Sequence, residues 1–208
     1  MNRKLFLSLL LSSSIVICKS QGSFYWQQQV DYTINVTLND KDNTLDGNEF
    51  LVYWNYSPQT LSFIYFHLWP NAYKDNNSAY ARQQLEQGKL TYYNAKPNEH
   101  GEINGLKFQV NGKDAQIETD SLNPDIIKVI LDAPLAPGSS CRITTPFHEV
   151  LPKTFSRGGH DGQSYQISQW YPKPAVYDRF GWHPIPYLDQ GEFYSEFGSF
   201  DVYITLPK

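Results

Sequence analysis

The chain has 208 residues, with 17 Lys and Arg against 21 Asp and Glu, for a net charge of −4. Removing a leader that carries Arg3, Lys4 and Lys19 and no acid takes that charge from −4 down by three, to −7. Such a chain lacks the basic footprint that nucleic acid or an acidic membrane surface demands.

The first 21 residues read as a signal peptide: Asn2 to Lys4 are basic and polar, Leu5 to Cys18 are mostly apolar, and Lys19 to Gly22 are small or polar. The apolar run is too short to span a bilayer, so cleavage between Cys18 and Gly22 and export to the periplasm or medium are expected. Lipid attachment at Cys18 is the weaker alternative, because Ile17 and Lys19 flank it poorly. The remaining stretch, 22–208, holds about 187 residues, enough for one domain with a real core. Only Cys141 survives processing, so no internal disulfide forms, and that thiol reads as a small buried hydrophobe.

From Val30 the chain alternates. Val30, Tyr32, Ile34, Val36 and Leu38 are apolar, and Asp31, Thr33, Asn35 and Thr37 are polar, which predicts a strand with one wet face. Asn39 to Asn43 suit a turn. A second run puts Phe50, Val52, Trp54 and Tyr56 on one face and the less apolar set Glu49, Leu51, Tyr53 and Asn55 on the other, so a hairpin is expected with the first set inward. Leu61 to Trp69 is apolar on both faces and reads as a central strand, followed by a loop at Asn71 to Asn77. Ser78 to Gln87 is the one short helix, with Ser78 as its cap and Gly88 beyond its end. Leu106 to Val110, Asn111-Gly112 and Gln116 to Glu118 predict a hairpin with a primed turn. Ile126 to Leu131 is a strand, Ala133 to Ser140 a connection, and Cys141 to Val150 a strand interrupted at Pro146. Phe200, Val202, Ile204 and Leu206 alternate again with polar neighbours. Many short strands at regular spacing give an all-β fold: an antiparallel β-sandwich or saddle-shaped curved sheet with one short helix.

Between the last two strands lies Tyr165 to Glu196. Pro172, Pro174, Pro184 and Pro186 rule out one helix or a central strand there. Long loops of this kind are functional or disordered, and Trp170, Tyr171, Tyr177, Phe180, Trp182 and Tyr187 argue against disorder. The segment is a shaped surface that packs against something.

Catalytic patterns are weak. His148-Glu149 begins an H-E-x-x-H zinc motif, but no second His follows and Pro152 would break the helix, so a surface His at a strand end is the better reading. His160 with Asp161 supplies two metal donors, which do not make a site. Ser156 to Gly159 could turn amides toward an anion, yet no P-loop Lys follows. No G-x-S-x-G elbow occurs. Asp178, Asp189, Glu192 and Glu196 could supply a carboxylate pair for glycoside hydrolysis, although scattered loop acids are more often solvated. Trp170, Trp182, Tyr171 and Tyr187 could stack on sugars or bury against protein. Asn35, Asn55 and Asn76 head glycosylation sequons.

Three segments carry a family resemblance: W-Q-Q-Q-V-D-Y-T-I-N-V-T-L (26–38), L-D-G-N-E-F-L-V-Y-W-N-Y-S-P (45–58) and I-Y-F-H-L-W-P-N-A-Y (64–73). With F-S-R-G-G (155–159), Q-W-Y-P-K-P-A-V-Y-D (169–178) and G-E-F-Y-S-E-F-G-S-F-D-V-Y-I-T-L-P (191–207), the chain resembles the N-terminal domain of the gluzincin zinc aminopeptidases, the family of aminopeptidase N and leukotriene hydrolase, and above all its divergent bacterial branch. The resemblance implies a saddle-shaped β domain packed on a thermolysin-like catalytic domain. That partner would carry H-E-x-x-H, the third zinc ligand and G-x-M-E-N, none of which occurs here, so no catalytic or metal residue is assigned to this chain and zinc is implied only for the parent enzyme. By the same resemblance Gln169, and less directly Gln166, line the peptide substrate cleft, and Trp170, Tyr171, Tyr177 and Trp182 are expected at the domain interface. The alternative is a self-sufficient secreted β-sandwich that binds glycan or protein through its aromatic loop.

Overall fold

The computed structural model describes residues 25–191 and 193–208. The expected signal peptide at 1–21 and Glu192 lie outside the described residues. The chain forms β1 (Gln29–Asn39), β2 (Thr44–Trp54), β3 (Leu61–His67), α1 (Ala79–Glu86), β4 (Glu102–Asn104), β5 (Gln109–Val110), β6 (Lys113–Asp114), β7 (Ile117–Thr119), β8 (Ile126–Leu135) and β9 (Ser140–Val150). After these come β10 (Gly159–Asp161), β11 (Ser164–Gln166), β12 (Lys173–Pro174), β13 (Val176–Asp178), β14 (Gly181–His183) and β15 (Phe200–Thr205). Among the described residues the fold is all-β with one short α-helix, as expected, and no sheet closes into a barrel.

The larger sheet runs β15-β1-β2-β9-β5-β6, with β4 also paired to β9. Every pairing in it is antiparallel except β15 on β1. The smaller sheet runs β12-β3-β8-β7, which makes β3 internal as its two-sided apolar character predicts. Side chains of both sheets meet in one core that includes Val30, Ile34, Leu51, Ile64, Phe66 and Val129. Each such residue, once fully buried, contributes about 1.5–3 kcal/mol. A satellite cluster of Trp69, Tyr73, Tyr80, Tyr92 and Tyr187 lies under α1. Ser78 caps that helix by accepting from the Ala81 amide at 3.1 Å, and Gly88 takes φ 71° just past its end.

Several local expectations are corrected. In β2 the buried face is Leu45, Gly47, Glu49, Leu51 and Tyr53, the reverse of the predicted one, while Phe50 is 37% exposed. Register imposes this: Tyr32 pairs with Leu51 and Val30 with Tyr53, so these share the face that β1 buries. Gly47 serves the same face, because a Cβ there would sit 2.1 Å from the Phe147 ring. β3 ends at His67, and Trp69–Tyr73 forms a buried 3-10 helix where part of a loop was expected. Asn111 and Gly112 do make the primed turn, at φ 52° and 80°, but it joins β5 to β6. Ile117–Thr119 crosses to the other sheet and pairs with β8, which itself runs on to Leu135. β9 continues through Pro146, opposite which the ladder on one side is open between β5 at Thr144 and β4 at His148. The segment 165–196 is not one irregular loop, since it contains part of β11 and all of β12, β13 and β14. Asn55 is fully buried, and its amide donates to two backbone carbonyls, so its sequon cannot carry a glycan.

Candidate functional site

Two prolines set the geometry of the predicted site. Pro172 and Pro174 hold the chain extended, and β12 between β11 and β13 lies against β3 with Lys173 opposite His67 and Pro174 opposite Phe66. This brings Lys173 into the interior. Its ammonium lies 4.5 Å from the Trp69 ring centroid and 5.5 Å from that of Tyr171, close enough for both π faces to attract it. Nζ donates to Gln169 Oε1 at 3.1 Å and to Ser195 Oγ at 3.2 Å. Burial pulls the Lys173 pKa down to about 8, and Glu49 acts in the opposite sense.

Glu49 is 3% exposed, and both its carboxyl oxygens lack a partner among the described residues. Burial holds its carboxyl well above the usual range, with Lys173 opposing. Glu149 is buried as well, Oε2 has no partner among the described residues, and burial again raises its pKa. Glu149 and Gln169 border a cavity of about 10 Å3 with Trp69 and Ile167, the size of a single water. His67 stacks on Trp69 at 4.5 Å and accepts from the Ile185 amide at 3.1 Å. Burial first, and Lys173 second, drop its pKa to about 3, so the ring is neutral.

Gln169 itself is half-buried, with φ at 60°, a left-handed conformation uncommon for a residue other than glycine. Gln166 is exposed on β11 and is not brought to Lys173. Trp170 is half-buried beside Phe147, at 6.0 Å, and Tyr171 lies edge-on to Tyr32 at 5.6 Å. Trp182 is half-buried against Tyr53, Phe63, Tyr65 and Tyr177. Tyr177 is buried, with its hydroxyl donating to Gln59. Tyr187 is not free to stack on a sugar: it is 2% exposed and its hydroxyl meets that of Tyr73 at 2.8 Å.

On another side, residues of the 194–197 segment and the β13–β14 turn border an open groove of about 950 Å3 with Tyr25, Tyr56, Phe180, Tyr194, Phe197 and Glu196. Burial pushes the Glu196 carboxyl up to about 7. Asp178 is in the same groove. Burial works to raise its pKa, but hydrogen bonds from His183 at 2.8 Å and the Phe180 amide outweigh it and hold the carboxyl low. Asp189 is taken up elsewhere by Ser156 and Lys89. His148 lies on the surface beside Asp46 at 2.7 Å. Among the described residues no three His, Cys, Asp or Glu side chains converge as a metal site would require.

Lys173, Glu49 and Ser195 escaped the sequence reading. Glu49 carried a signal, a lone carboxylate within an alternating apolar set, but it could be read only after the inward face of β2 was known. No signal in the sequence marks Ser195, which sits 22 residues from Lys173 in the chain.

No protein-family model matches the sequence, and no curated protein matches it. Among solved structures the chain is similar to a two-domain M1 zinc metallopeptidase variant bound to L-tryptophan, at 16% identity and a TM-score of 0.45, covering 87% of this chain and 33% of the other. An M1 zinc metallopeptidase from Deinococcus radiodurans shows 15% identity and a TM-score of 0.43, covering 87% of this chain and 32% of that one. A variant of it bound to a Tyr-Ser-Ala substrate shows 16% identity and a TM-score of 0.42, with the same coverages. The chain thus spans about a third of the length of these structures.

Proposed function

We propose that this chain is the non-catalytic N-terminal β domain of an exported zinc metallopeptidase, an aminopeptidase whose chemistry resides in a separate thermolysin-like domain. The observation that carries the reading is an uncovered apolar face. In β15, Phe200, Val202 and Ile204 pair with Tyr32, Ile34 and Val36, which β1 buries, yet they are 47%, 41% and 63% exposed. The smaller sheet does not cover that end of the larger one. A strand with apolar side chains and an open edge is a liability unless other protein covers it.

In this reading Gln169, with Gln166 further out, shapes the peptide cleft, and Trp170, Tyr171, Tyr177 and Trp182 support the interface from behind. The zinc, which would activate water in the assembled enzyme, belongs to the other domain, because no donor cluster among the described residues fits it. We place the protein outside the cytoplasm on the strength of the basic and apolar leader at 1–21.

The test is to purify this chain, and separately the product of the reading frame beyond Lys208, and assay aminoacyl nitroanilides. Neither zinc nor turnover is expected with this chain alone, and the second product should bind it and hydrolyse substrate. Stoichiometric zinc and peptide trimming by this chain unaided would overturn the proposal. A second reading, a glycan-binding module, is favoured by the aromatic groove with Asp178 and Glu196, and predicts quenching of Trp fluorescence by oligosaccharide.

A further inference from the structure

The groove of about 950 Å3 beside the β13–β14 turn is far larger than one side chain and has the size of a ligand site. Its rings are presented rather than packed away: Tyr25, Tyr56, Phe180, Tyr194 and Phe197 all stay exposed. Its carboxylates are held in place. Asp178 Oδ1 accepts from His183 Nε2 and from the Phe180 amide, both at 2.8 Å, and Oδ2 accepts from the Tyr194 hydroxyl at 3.2 Å. Glu196 Oε2 accepts from Gln27 at 3.2 Å.

Charge selects the occupant. Among the described residues three charged side chains border the groove, the acids Asp178 and Glu196 against Arg179 alone. An occupant strips water from what it covers. A neutral one leaves the second acid uncompensated, and an anion adds repulsion. A cation removes that penalty and is also attracted by the ring faces. The groove already shows this chemistry once, since the Arg179 guanidinium lies 4.6 Å from the Phe180 ring centroid. A planar, weakly hydrated guanidinium suits rings beside a carboxylate better than an ammonium does. A neutral sugar would stack on the same rings but leave the excess negative charge unanswered.

We propose that this groove binds an arginine side chain of an extended polypeptide partner, with Phe180, Tyr194 and Phe197 supplying ring faces and Asp178 and Glu196 the opposing charge. The volume that one side chain leaves empty takes the residues flanking that arginine. Arg179 is the internal competitor: it occupies the Phe180 ring and repels a second cation. Gln169 does not border this groove, and the proposal does not depend on the metallopeptidase reading.

The test follows the indole resonance of Trp26, which also borders the groove, in the 15N-labelled chain. The resonance is assigned by its loss in Trp26→Phe, and the work is done at pH 8, above the value of about 7 to which burial pushes Glu196. Three blocked tripeptides differ only in a central arginine, citrulline or lysine, and chitohexaose is the fourth probe. The arginine peptide should shift the resonance saturably, and citrulline, which keeps the shape and loses the charge, should bind at least about tenfold more weakly. Lysine should bind about threefold more weakly than arginine. Arg179→Gln frees the Phe180 ring and removes a like charge, so it should tighten the arginine peptide severalfold, which a merely apolar groove would not show. Phe180→Ala should weaken it about threefold. Both of these residues are exposed, so no fall in Tm is expected. Glu196→Gln keeps an oxygen for Gln27 and should weaken the arginine peptide while sparing citrulline. Should Glu196→Gln fail to fold, the peptide series and Arg179→Gln still decide. The proposal falls if citrulline or lysine binds as tightly as arginine, if Arg179→Gln weakens binding, or if chitohexaose moves Trp26 and the arginine peptide does not. Any of these failures leaves the metallopeptidase reading standing, because that reading rests on the uncovered face of β15.

Discussion

Asp125 offers the sharpest test of how burial governs this fold. It is 1% exposed, Oδ2 accepts from the Tyr187 amide at 2.6 Å, and Oδ1 has no partner among the described residues. Burial raises its pKa from 3.8 to about 6, against the pull of that amide. The folded state therefore binds the proton more tightly than the unfolded chain. The associated stability is fully present only well below pH 4 and is lost as pH rises through about 6. At about 1.4 kcal/mol for each tenfold change in proton affinity, the loss amounts to about 3 kcal/mol. Asp125→Asn keeps an oxygen for the Tyr187 amide and has no charge to bury. Urea unfolding at pH 4, 5, 6 and 7 should show the parent losing about 2.4 kcal/mol relative to Asp125→Asn, since part of the full loss falls below pH 4. Other buried acids contribute equally to both proteins and cancel in the difference. Parallel pH profiles for the two, or a gap that opens in the other direction, would refute the argument.

Gly47→Ala forces a Cβ into the buried Phe147 ring, so a loss of about 1–3 kcal/mol is expected, and an unchanged urea midpoint would show that the ring yields freely. The Cys141 thiol, 3% exposed and pushed up to about 12 by burial, should react with a disulfide reagent only as fast as the chain unfolds, whereas rapid labelling under native conditions would place it at an accessible site. Ile204→Asp on the uncovered face of β15 should change the stability of the isolated chain by less than about 0.5 kcal/mol while abolishing association with the domain proposed to cover it. Retained association would remove the observation on which the proposed function stands.

Local chemistry was legible where neighbours in sequence suffice. The clean alternation of Val30 to Leu38 identified β1 and its inward face, Ser78 and Gly88 bracketed the helix, and Asn111-Gly112 announced its turn. β2 defeated the same method because both of its faces carry large apolar groups. Register against β1 and the contact of Gly47 with Phe147 made the choice, and both come from outside the strand. Likewise Ile117–Thr119 was recognisable as a strand but not as a partner of β8, since pairing is non-local. Gln169 stood out within a resembling motif. Its strained backbone, and the cation that commits its oxygen, arise only when the proline-held segment lies down against β3.

The amino-acid order by itself determined an all-β chain with one capped helix and a proline-rich aromatic segment, because propensity, capping and alternation act over a few residues. Tertiary structure decided which face of β2 is inside, which acids are stripped of water and which oxygens Lys173 engages, because burial and hydrogen bonding depend on groups that folding alone brings within reach.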